Sequence, residues 1–367
     1  MKKICVVTTT RAEYGLLRRT IEALRAEACF EVYLIASGTH LSPAFGQTWR
    51  QIEADGIRIN EKIDYLGEDR SPAGIAREMS VCARKFADSL SALAPDLLLV
   101  LGDRYELLPI CSTALILGIP IAHIAGGEHT EGALDEQVRN AVTQMATLHF
   151  PNNPEAAAEV SRMRGGSRNV FDVGEPSVEN ALRLPLPSRE ALAADLGLDP
   201  ARDWYLCTLH PETCLSLEGN LAMARDLMRA LLELEDAEIV MSEANADPCG
   251  AEMNGIYRSC TQPRFHLFPS LGQARYLGLM REARCVVGNS SSGLIETPLA
   301  GTPAINIGER QKGRRICPNV LCCPGDYLSI RDALHRIAGR REPDFSFGDG
   351  RTSEHIVRHI KDYFHET

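Results

Sequence analysis

The chain has 367 residues, a length that favours two domains and excludes a small disulfide-stapled module. Its 44% hydrophobic and 24% charged residues are typical of a globular protein, which excludes a low-complexity chain. The 39 basic and 49 acidic residues give a net charge of −10, which opposes non-specific binding to nucleic acid or to an anionic membrane. Any anionic ligand is therefore expected to be small and held in a local pocket.

The 12 cysteines are scattered without a CxxC pair, a pattern that indicates thiols in a reducing compartment. Only Cys317, Cys322 and Cys323 are clustered, and their spacing matches no zinc motif, so we expect no metal. The apolar run at 4–7 is too short for a signal peptide, and no segment approaches the roughly 20 apolar residues of a membrane span. We therefore predict a cytoplasmic protein that does not contact membranes.

Short apolar runs alternate with helical patterns along the chain, which predicts parallel βαβ units. The strands predicted in the first half are 4–8, 32–37, 97–102, 120–124 and 169–173, and helical patterns lie between them over 14–26, 75–92 and 105–117. The strands predicted in the second half are 204–209, 237–242, 264–268, 285–288, 304–307 and 320–322. A proline-rich turn at 184–187 separates the halves, so we place a domain boundary near residue 180.

The expected architecture is therefore α/β, with two doubly wound domains facing a cleft. We assign 1–180 to the first domain, 181–352 to the second, and 353–367 to a last helix. Open α/β sheets bind ligands beyond the carboxyl ends of their strands, so we expect the functional residues just after the strands.

Two charged motifs follow strands of the first half. Arg11 comes after the first strand, which ends without the GxGxxG turn of a dinucleotide-binding dehydrogenase. Asp103 and Arg104 follow the apolar strand at 97–102, where Asp103 is either a functional acid or the N-cap of the next helix. A carboxylate and a guanidinium are thus presented together at one edge of the sheet.

A second group of acids follows the strand at 120–124. The sequence HIAGGE places Glu128 after a glycine turn, and Glu131 and Asp135 come soon afterwards. Several carboxylates converging after two strands are typical of proton transfer at a carbon or at a leaving oxygen, and unrelated surface acids are the alternative.

The second half contains the clearest sign of a phosphate site. The sequence GNSSSG at 288–293 predicts a strand that opens into a helix through Ser290 and Ser291, with Glu296 a turn further on. Free amides, hydroxyls and a helix dipole would favour an anion there, whereas ordinary serine capping is the alternative. Arg310 and Arg314 follow another strand and would add charge-assisted hydrogen bonds.

His210 ends the strand at 204–209 and precedes a proline, so it is either a site residue or a structural histidine. The segment GERQKGR at 308–314 superficially resembles a phosphate-binding P-loop. Arginine replaces the lysine of that motif and no Ser/Thr follows, so a P-loop NTPase is excluded.

Taken together, these motifs resemble the hydrolysing UDP-N-acetylglucosamine 2-epimerases of sialic-acid biosynthesis. The residues that carry the resemblance occur in order over nearly the whole chain: TRAEYG at 10–15, GDR at 102–104, HIAGGE at 123–128, HP at 210–211, GNSSSG at 288–293 and GERQKGR at 308–314. The family implies a GT-B fold, in which the last helix usually returns to the first domain.

The resemblance also implies residue roles. Ser290 and Ser291 would hold the diphosphate, and Glu296 would bind the ribose. The UDP site would be completed by Arg11, Arg104, His210, Asn245 and Arg314. The acids Asp103, Glu128 and Asp135 would handle protons, with His210 as a further catalytic residue.

Three positions differ from those of relatives. Some relatives have an acid in place of Ala125, some have serine in place of Gly15, and a histidine often replaces Asn140. The second acidic role therefore falls to Glu128 or to Glu131.

The reaction implied is an anti elimination of UDP from UDP-N-acetylglucosamine and hydration of the resulting 2-acetamidoglucal, without cofactor or metal. The partner is a nucleotide sugar, and we expect a homodimer or homotetramer. The alternatives are the same reaction on UDP-2,4-diacetamido-2,4,6-trideoxyglucose for legionaminic acid, a GT-B glycosyltransferase, and a nucleotide-sugar sensor without turnover.

Overall fold

The computed structural model of the chain describes residues 1–69, 71–129, 134–212, 214–245 and 249–366. The chain forms two compact units, of which the first comprises Met1–Asn180 and Phe347–Thr367 and the second comprises Ala181–Ser346. The chain thus returns to the first unit at Phe347, before the expected position 353.

The first unit is built on a six-stranded parallel sheet. Its strands are β1 (Lys2–Thr8), β2 (Phe30–Ser37), β3 (Glu61–Ile63), β4 (Leu97–Leu101), β5 (Ile121–Ile124) and β6 (Leu148–Phe150). Its helices are α1 (Arg11–Ala26), α2 (Trp49–Ala54), α3 (Pro72–Leu93), α4 (Leu107–Ile116), α5 (Leu134–Met145), α6 (Pro154–Arg164) and α7 (Pro176–Arg183), the last of which runs across the boundary.

The sheet of the first unit is covered on both faces, which explains why its central strands have apolar residues at successive positions rather than at alternate ones. Ile4 and Val6 of β1 belong to one core with α1, whereas Cys5 and Val7 belong to a second core with α3. All four side chains are at most 2% exposed.

The second unit repeats this architecture. Its strands are β7 (Asp203–Thr208), β8 (Ala237–Ser242), β9 (Phe265–Phe268), β10 (Cys285–Gly288), β11 (Ala304–Ile307) and β12 (Val320–Cys323). Its helices are α8 (Arg189–Leu196), α9 (Leu217–Leu232), α10 (Gly250–Arg258), α11 (Gly272–Glu282), α12 (Ser292–Ile295), α13 (Thr297–Ala300) and α14 (Tyr327–Arg336). Two cores again lie on opposite faces of the sheet.

Both sheets have the same strand order. It is β3-β2-β1-β4-β5-β6 in the first unit and β9-β8-β7-β10-β11-β12 in the second, with every pair parallel. The order reverses between β1 and β4, and between β7 and β10. Open parallel sheets bind ligands at the carboxyl ends of the strands on either side of such a reversal.

The last helix, α15 (Thr352–Glu366), packs against α1 in the first unit and buries Ile356 and Ile360 completely. The carboxylate of Glu179 binds its first turn, accepting hydrogen bonds from the Ser353 amide at 2.7 Å and from the Ser353 hydroxyl at 2.6 Å. No helix in the described ranges is long and apolar enough to cross a bilayer.

The structure confirms two parallel α/β units and corrects individual strands. The predicted strand 169–173 is wrong, because Val170 makes only an isolated bridge to His149. The strands β3 and β6 were not predicted, since three residues are too few to show a pattern.

Candidate functional site

The carboxyl end of β4 in the first unit brings acidic side chains together around a buried arginine. Gly102, at φ +88°, turns the chain so that Asp103 leaves the sheet. The guanidinium of Arg139 on α5, which is 4% exposed, forms an ion pair with Asp103 and donates a hydrogen bond to the carbonyl oxygen of Glu128 at 2.5 Å. The following helix begins at Leu107, so Asp103 is not its N-cap.

Asp135 lies one turn before Arg139 on α5 and belongs to the same electrostatic group. Loss of hydration raises the pKa of Asp135, and the negative charge of Asp103 raises it further, against the opposing charges of Arg139 and Arg104. Two interacting carboxyl groups, one of which has a raised pKa, are suited to general acid and base roles. The structure therefore groups Asp103 with Asp135 and places the backbone of Glu128 beside them.

Glu131, the alternative second acid, lies outside the described residues. Glu128 lies within them and is half-buried just after the Gly126–Gly127 turn.

His123 supports the turn that presents Asp103. Its Nε2 donates to the carbonyl oxygen of Gly102 at 2.8 Å, and the hydroxyl of Thr143 lies 3.2 Å from its Nδ1. Burial lowers the pKa of His123 to about 4. The ring is therefore neutral at physiological pH and holds the backbone in place.

Arg104 is oriented by a buried acid. Its Nη2 and Nε lie 2.8 and 3.2 Å from the two carboxylate oxygens of Glu106, which is fully buried. This two-bond pairing fixes the plane of the guanidinium, while 38% of the Arg104 side chain stays exposed.

A second buried acid organises the carboxyl end of β1. One oxygen of the Glu13 carboxylate accepts hydrogen bonds from the Thr9 amide at 2.7 Å, the Thr9 hydroxyl at 2.8 Å and the Thr10 amide at 3.2 Å. Burial raises the pKa of Glu13 to about 7, against these hydrogen bonds and the charge of Arg104. Arg11 is exposed at the first position of α1, beside this capped turn.

The serine loop, residues 288–293, follows β10 in the second unit. Gly288 has φ +141°, and a Cβ there would overlap the carbonyl oxygen of Thr208 on β7. Ser290 and Ser291 come next, but α12 is only four residues long and no serine hydroxyl caps it. The predicted helix dipole at this point is therefore wrong, because so short a helix has almost none, and an anion would depend on free amides and hydroxyls.

A tyrosine that sequence reasoning missed lies against this loop. The hydroxyl of Tyr276 is buried beside the hydroxyls of Thr208, Ser290 and Ser292, and burial raises its pKa to about 12. Glu296, half-buried between α12 and α13, adds a negative charge that also raises this pKa.

The structure brings together two predicted UDP-binding residues after β7 and β8. The amide of Asn245 donates to Nδ1 of His210 at 3.1 Å, so a neutral His210 ring carries its hydrogen on Nε2. The loop after β11 carries Arg314, which is half-buried, and Arg310, whose Nη1 donates to the carbonyl oxygen of Asn289 at 3.3 Å.

Most of the residues missed by sequence reasoning have partners that are distant in the chain, although Glu106 pairs with the nearby Arg104. Arg139 had one local signal, its position four residues after Asp135 on a helix, and Asn289 lies within the GNSSSG motif, whereas Glu106 and Tyr276 had no signal. All 12 cysteines are free, with Cys317 buried and Cys322 exposed. Within the described ranges no group of three or more His, Cys, Asp or Glu side chains is arranged to hold a metal.

The fold and the site define a two-unit α/β protein with a GT-B-like fold. One unit has interacting acids and the other has a serine-rich loop. The family model for UDP-N-acetylglucosamine 2-epimerase matches residues 22–361. The chain belongs to this family of UDP-sugar 2-epimerases, as the resemblance of its sequence motifs to the family predicted.

Individual relatives differ in what their names specify. The chain is 35% identical to a GDP/UDP-N,N'-diacetylbacillosamine 2-epimerase (hydrolyzing) of Campylobacter jejuni, over 87% of this chain and 84% of the relative. It is 34% identical to the polysialic acid biosynthesis protein P7 of Escherichia coli, over 90% of this chain and 84% of the relative. The fold matches the UDP-GlcNAc 2-epimerase of Neisseria meningitidis bound to UDP-GlcNAc with a TM-score of 0.82 at 16% identity, covering 98% of this chain and 100% of the other.

Proposed function

We propose that the protein is a hydrolysing 2-epimerase that converts UDP-N-acetylglucosamine and water to N-acetylmannosamine and UDP. The observation that carries this proposal is the pairing of Asp103 and Asp135 around Arg139 at the carboxyl end of β4. Epimerisation at C2 needs one group to remove a proton and another to return one, and this arrangement supplies two interacting carboxyl groups, of which Asp135 has a raised pKa.

The proposed reaction has two stages. A carboxylate, a role that we assign to Asp103, removes the C2 proton, and the C1–oxygen bond breaks in an anti elimination that releases UDP and leaves 2-acetamidoglucal. Water then adds at C1 while C2 is protonated from the opposite face, for which the raised pKa of Asp135 is suited. Glu128 remains the third candidate acid, and His210 the candidate for assisting UDP departure.

The leaving diphosphate needs donors where its negative charge develops. We assign the diphosphate to the serine loop, through Ser290 and Ser291, and the ribose to Glu296. The remaining UDP contacts are assigned to Arg11, Arg104, His210, Asn245 and Arg314.

A second candidate substrate is favoured by the Campylobacter jejuni relative, whose name specifies N,N'-diacetylbacillosamine. UDP-2,4-diacetamido-2,4,6-trideoxyglucose would undergo the same chemistry, since it differs at C4 and C6 and not at the reacting carbons. The likeness to protein P7 supports the first substrate and a place in sialic-acid biosynthesis.

The deciding assay incubates the protein with each sugar nucleotide alone and compares kcat/KM. We expect free N-acetylmannosamine and UDP from UDP-N-acetylglucosamine. Turnover of the diacetamido sugar alone would transfer the proposal to the second substrate. UDP binding without turnover of either sugar would indicate a sensor or a glycosyltransferase that requires an acceptor.

Solvent isotopes test the mechanism separately from the substrate. In D₂O the product should carry deuterium at C2, and in ¹⁸O-water the label should enter the sugar at C1 rather than UDP, when it is read before anomeric exchange. Protium retained at C2, or product of gluco configuration throughout, would contradict the elimination and the roles of the acids.

A further inference from the structure

Asn289 occupies an unusual place in the serine loop of the second unit. Its side chain is completely buried and binds the backbone amide and the carbonyl oxygen of His210, which follows the end of β7. Oδ1 accepts from the amide of His210 at 2.7 Å, and Nδ2 donates to the carbonyl oxygen of His210 at 2.8 Å. Because β10 pairs with β7 only as far as Gly288 and Thr208, the Asn289 side chain provides hydrogen bonds where the ladder has stopped.

The backbone of Asn289 extends this connection to a third strand end. Its amide donates to the carbonyl oxygen of Thr208 at 3.1 Å. Its carbonyl oxygen accepts from Nε2 of Gln311 at 2.8 Å and from Nη1 of Arg310 at 3.3 Å. One residue thus joins the loops after β7, β10 and β11, which carry the candidates His210, the serines and Arg314.

Two further contacts strengthen the junction. The buried carboxylate of Glu212 accepts from the amides of Glu309 at 2.8 Å and Arg310 at 3.2 Å, and a Cβ at Gly308 would overlap it. Asn220 in turn binds the backbone of Glu212, accepting from its amide at 2.8 Å and donating to its carbonyl oxygen at 3.1 Å. The loops after β7 and β11 are therefore tied twice.

The consequence for His210 is a fixed ring as well as a fixed backbone. Asn289 holds the amide and carbonyl of His210, while the Asn245 amide occupies its Nδ1. A neutral ring held in this way directs its Nε2 hydrogen in one orientation before any ligand arrives. Groups that stabilise developing charge act best when they need no reorganisation during the reaction.

We propose that Asn289 is a positioning residue that holds His210, the serine loop and the loop at 308–314 in the arrangement that binds the diphosphate. The proposal rests on the function proposed above only in its choice of UDP as the ligand. Asn289 itself is completely buried, and we assign it no contact with the ligand.

The test compares Asn289→Ala with a matched control, Asn319→Ala. Asn319 is also a buried asparagine of the second unit, and its Nδ2 donates to the Thr302 carbonyl oxygen at 2.7 Å and to the Thr297 hydroxyl at 2.9 Å. Unlike Asn289, which follows the carboxyl end of β10, Asn319 precedes the amino end of β12. We expect Asn289→Ala to weaken UDP binding about tenfold or more and to lower kcat by about 10²-fold, since misplacement by ~1 Å can cost that much. Asn319→Ala should lower the melting temperature and leave both quantities unchanged.

Hydrogen exchange of the segment containing His210 provides a readout that does not depend on substrate. Loss of Asn289 should accelerate exchange of the His210 amide in the free protein, and Asn319→Ala should not. Equal UDP affinity in the two variants, or unchanged His210 exchange, would overturn the proposal. If the wild type does not bind UDP but Asn289→Ala still accelerates exchange of the His210 amide, the proposed function is contradicted and the positioning role stands.

If Asn289→Ala does not fold, Gln311→Met decides the question. It removes one hydrogen bond to the Asn289 carbonyl oxygen and leaves the pairing with His210 in place. A smaller but measurable loss of UDP affinity supports the three-loop junction, and wild-type affinity overturns it.

Discussion

Arg139 is the residue on which the candidate acids of the first unit depend, because its guanidinium neutralises Asp103 and reaches the backbone of Glu128. Asp103→Asn retains an oxygen that accepts from Arg139 but removes the proposed base. We expect turnover to fall by about 10²-fold or more, the usual scale of general acid-base catalysis, while UDP affinity stays near that of wild type. Steady-state kinetics and calorimetric titration with UDP measure the two effects.

Glu136→Gln is the matched control for this prediction, since Glu136 adjoins Asp135 on α5 but pairs with His129. It should retain wild-type turnover. A comparable loss of turnover in Glu136→Gln, or loss of folding in Asp103→Asn, would assign the acids a structural role.

Glu13 provides a pH-dependent prediction at the same scale. Its pKa of about 7 in the folded protein exceeds the ordinary value of about 4.3, so the native state retains a proton that the unfolded chain releases. Its contribution to stability is complete below about pH 4 and is lost as the pH rises through 7. Between about pH 5 and about pH 8 the wild type should lose roughly 2 to 3 kcal/mol of unfolding free energy from this group, and Glu13→Gln should not.

Urea denaturation at several pH values measures this difference. Glu22→Gln, on the exposed side of the same helix, should keep the wild-type pH dependence. His40 and His123 are buried, and both have a pKa lowered to about 4. They contribute equally to the pH dependence of stability in wild type, Glu13→Gln and Glu22→Gln. Parallel stability curves for wild type and Glu13→Gln would show that Glu13 does not titrate in this range.

Positions of candidate residues could be predicted from the sequence, whereas their partners could not. Asp103 and Ser290 follow apolar strands, and a local pattern reveals that. The contacts that hold such residues join positions far apart, as between Asn289 and His210, and neither residue type predicts the other. Only the fold determines which strand ends become neighbours.

At the scale of elements, burial on both faces explains which strands the sequence revealed. The strands β1, β4, β7 and β10 contain continuous apolar runs because helices cover both faces of each sheet. The edge strand β6 has three residues and merges with its loops. The segment 169–173 has β-type residues but pairs at one point only, because β6 is too short to offer more.

Gly288 is the residue that allows the turn from β10 into the serine loop. Its φ of +141° and its approach to the Thr208 carbonyl leave no room for a side chain. Gly288→Ala should destabilise the second unit by about 2 kcal/mol or more and weaken UDP binding, because the turn must shift. Thermal denaturation and calorimetry measure these effects.

Gly293→Ala is the matched control in the same loop, since its Cβ would lie 4.0 Å from the nearest atom, Cγ1 of Val286. Its stability should equal or exceed that of wild type by up to about 1 kcal/mol, as alanine favours helix over glycine. Equal destabilisation by the two substitutions would mean that the loop tolerates no methyl group at all.

At the scale of the whole molecule, the same strand order occurs twice and places candidate site residues at the same point of each unit. Asp103 follows β4, and the serine loop follows β10, each being the strand beside the reversal of its sheet. The chain then leaves the second unit and returns to the first. Gly174 and Gly348 cross there, since a Cβ on Gly174 would lie 2.8 Å from the Gly348 Cα, and the Glu175 amide donates to the Phe347 carbonyl oxygen at 2.6 Å.

This return makes the last helix part of the first unit's core, although it is distant in sequence. The side chains of Ile356 and Ile360 are fully buried in that core, and Val357 is 6% exposed. Each buried aliphatic side chain contributes roughly 1.5 to 3 kcal/mol, so a chain ending at residue 346 should lose most of the first unit's stability. Hydrogen exchange should show β1 and β4 losing protection while β7 and β10 keep theirs.

A point variant in the last helix, Ile360→Ala, should lower the protection of β1 and β4 by about 2 to 5 kcal/mol. Phe345→Ala, at an exposed position, should leave this protection unchanged. Equal loss of protection in both sheets would show that the two units unfold as one.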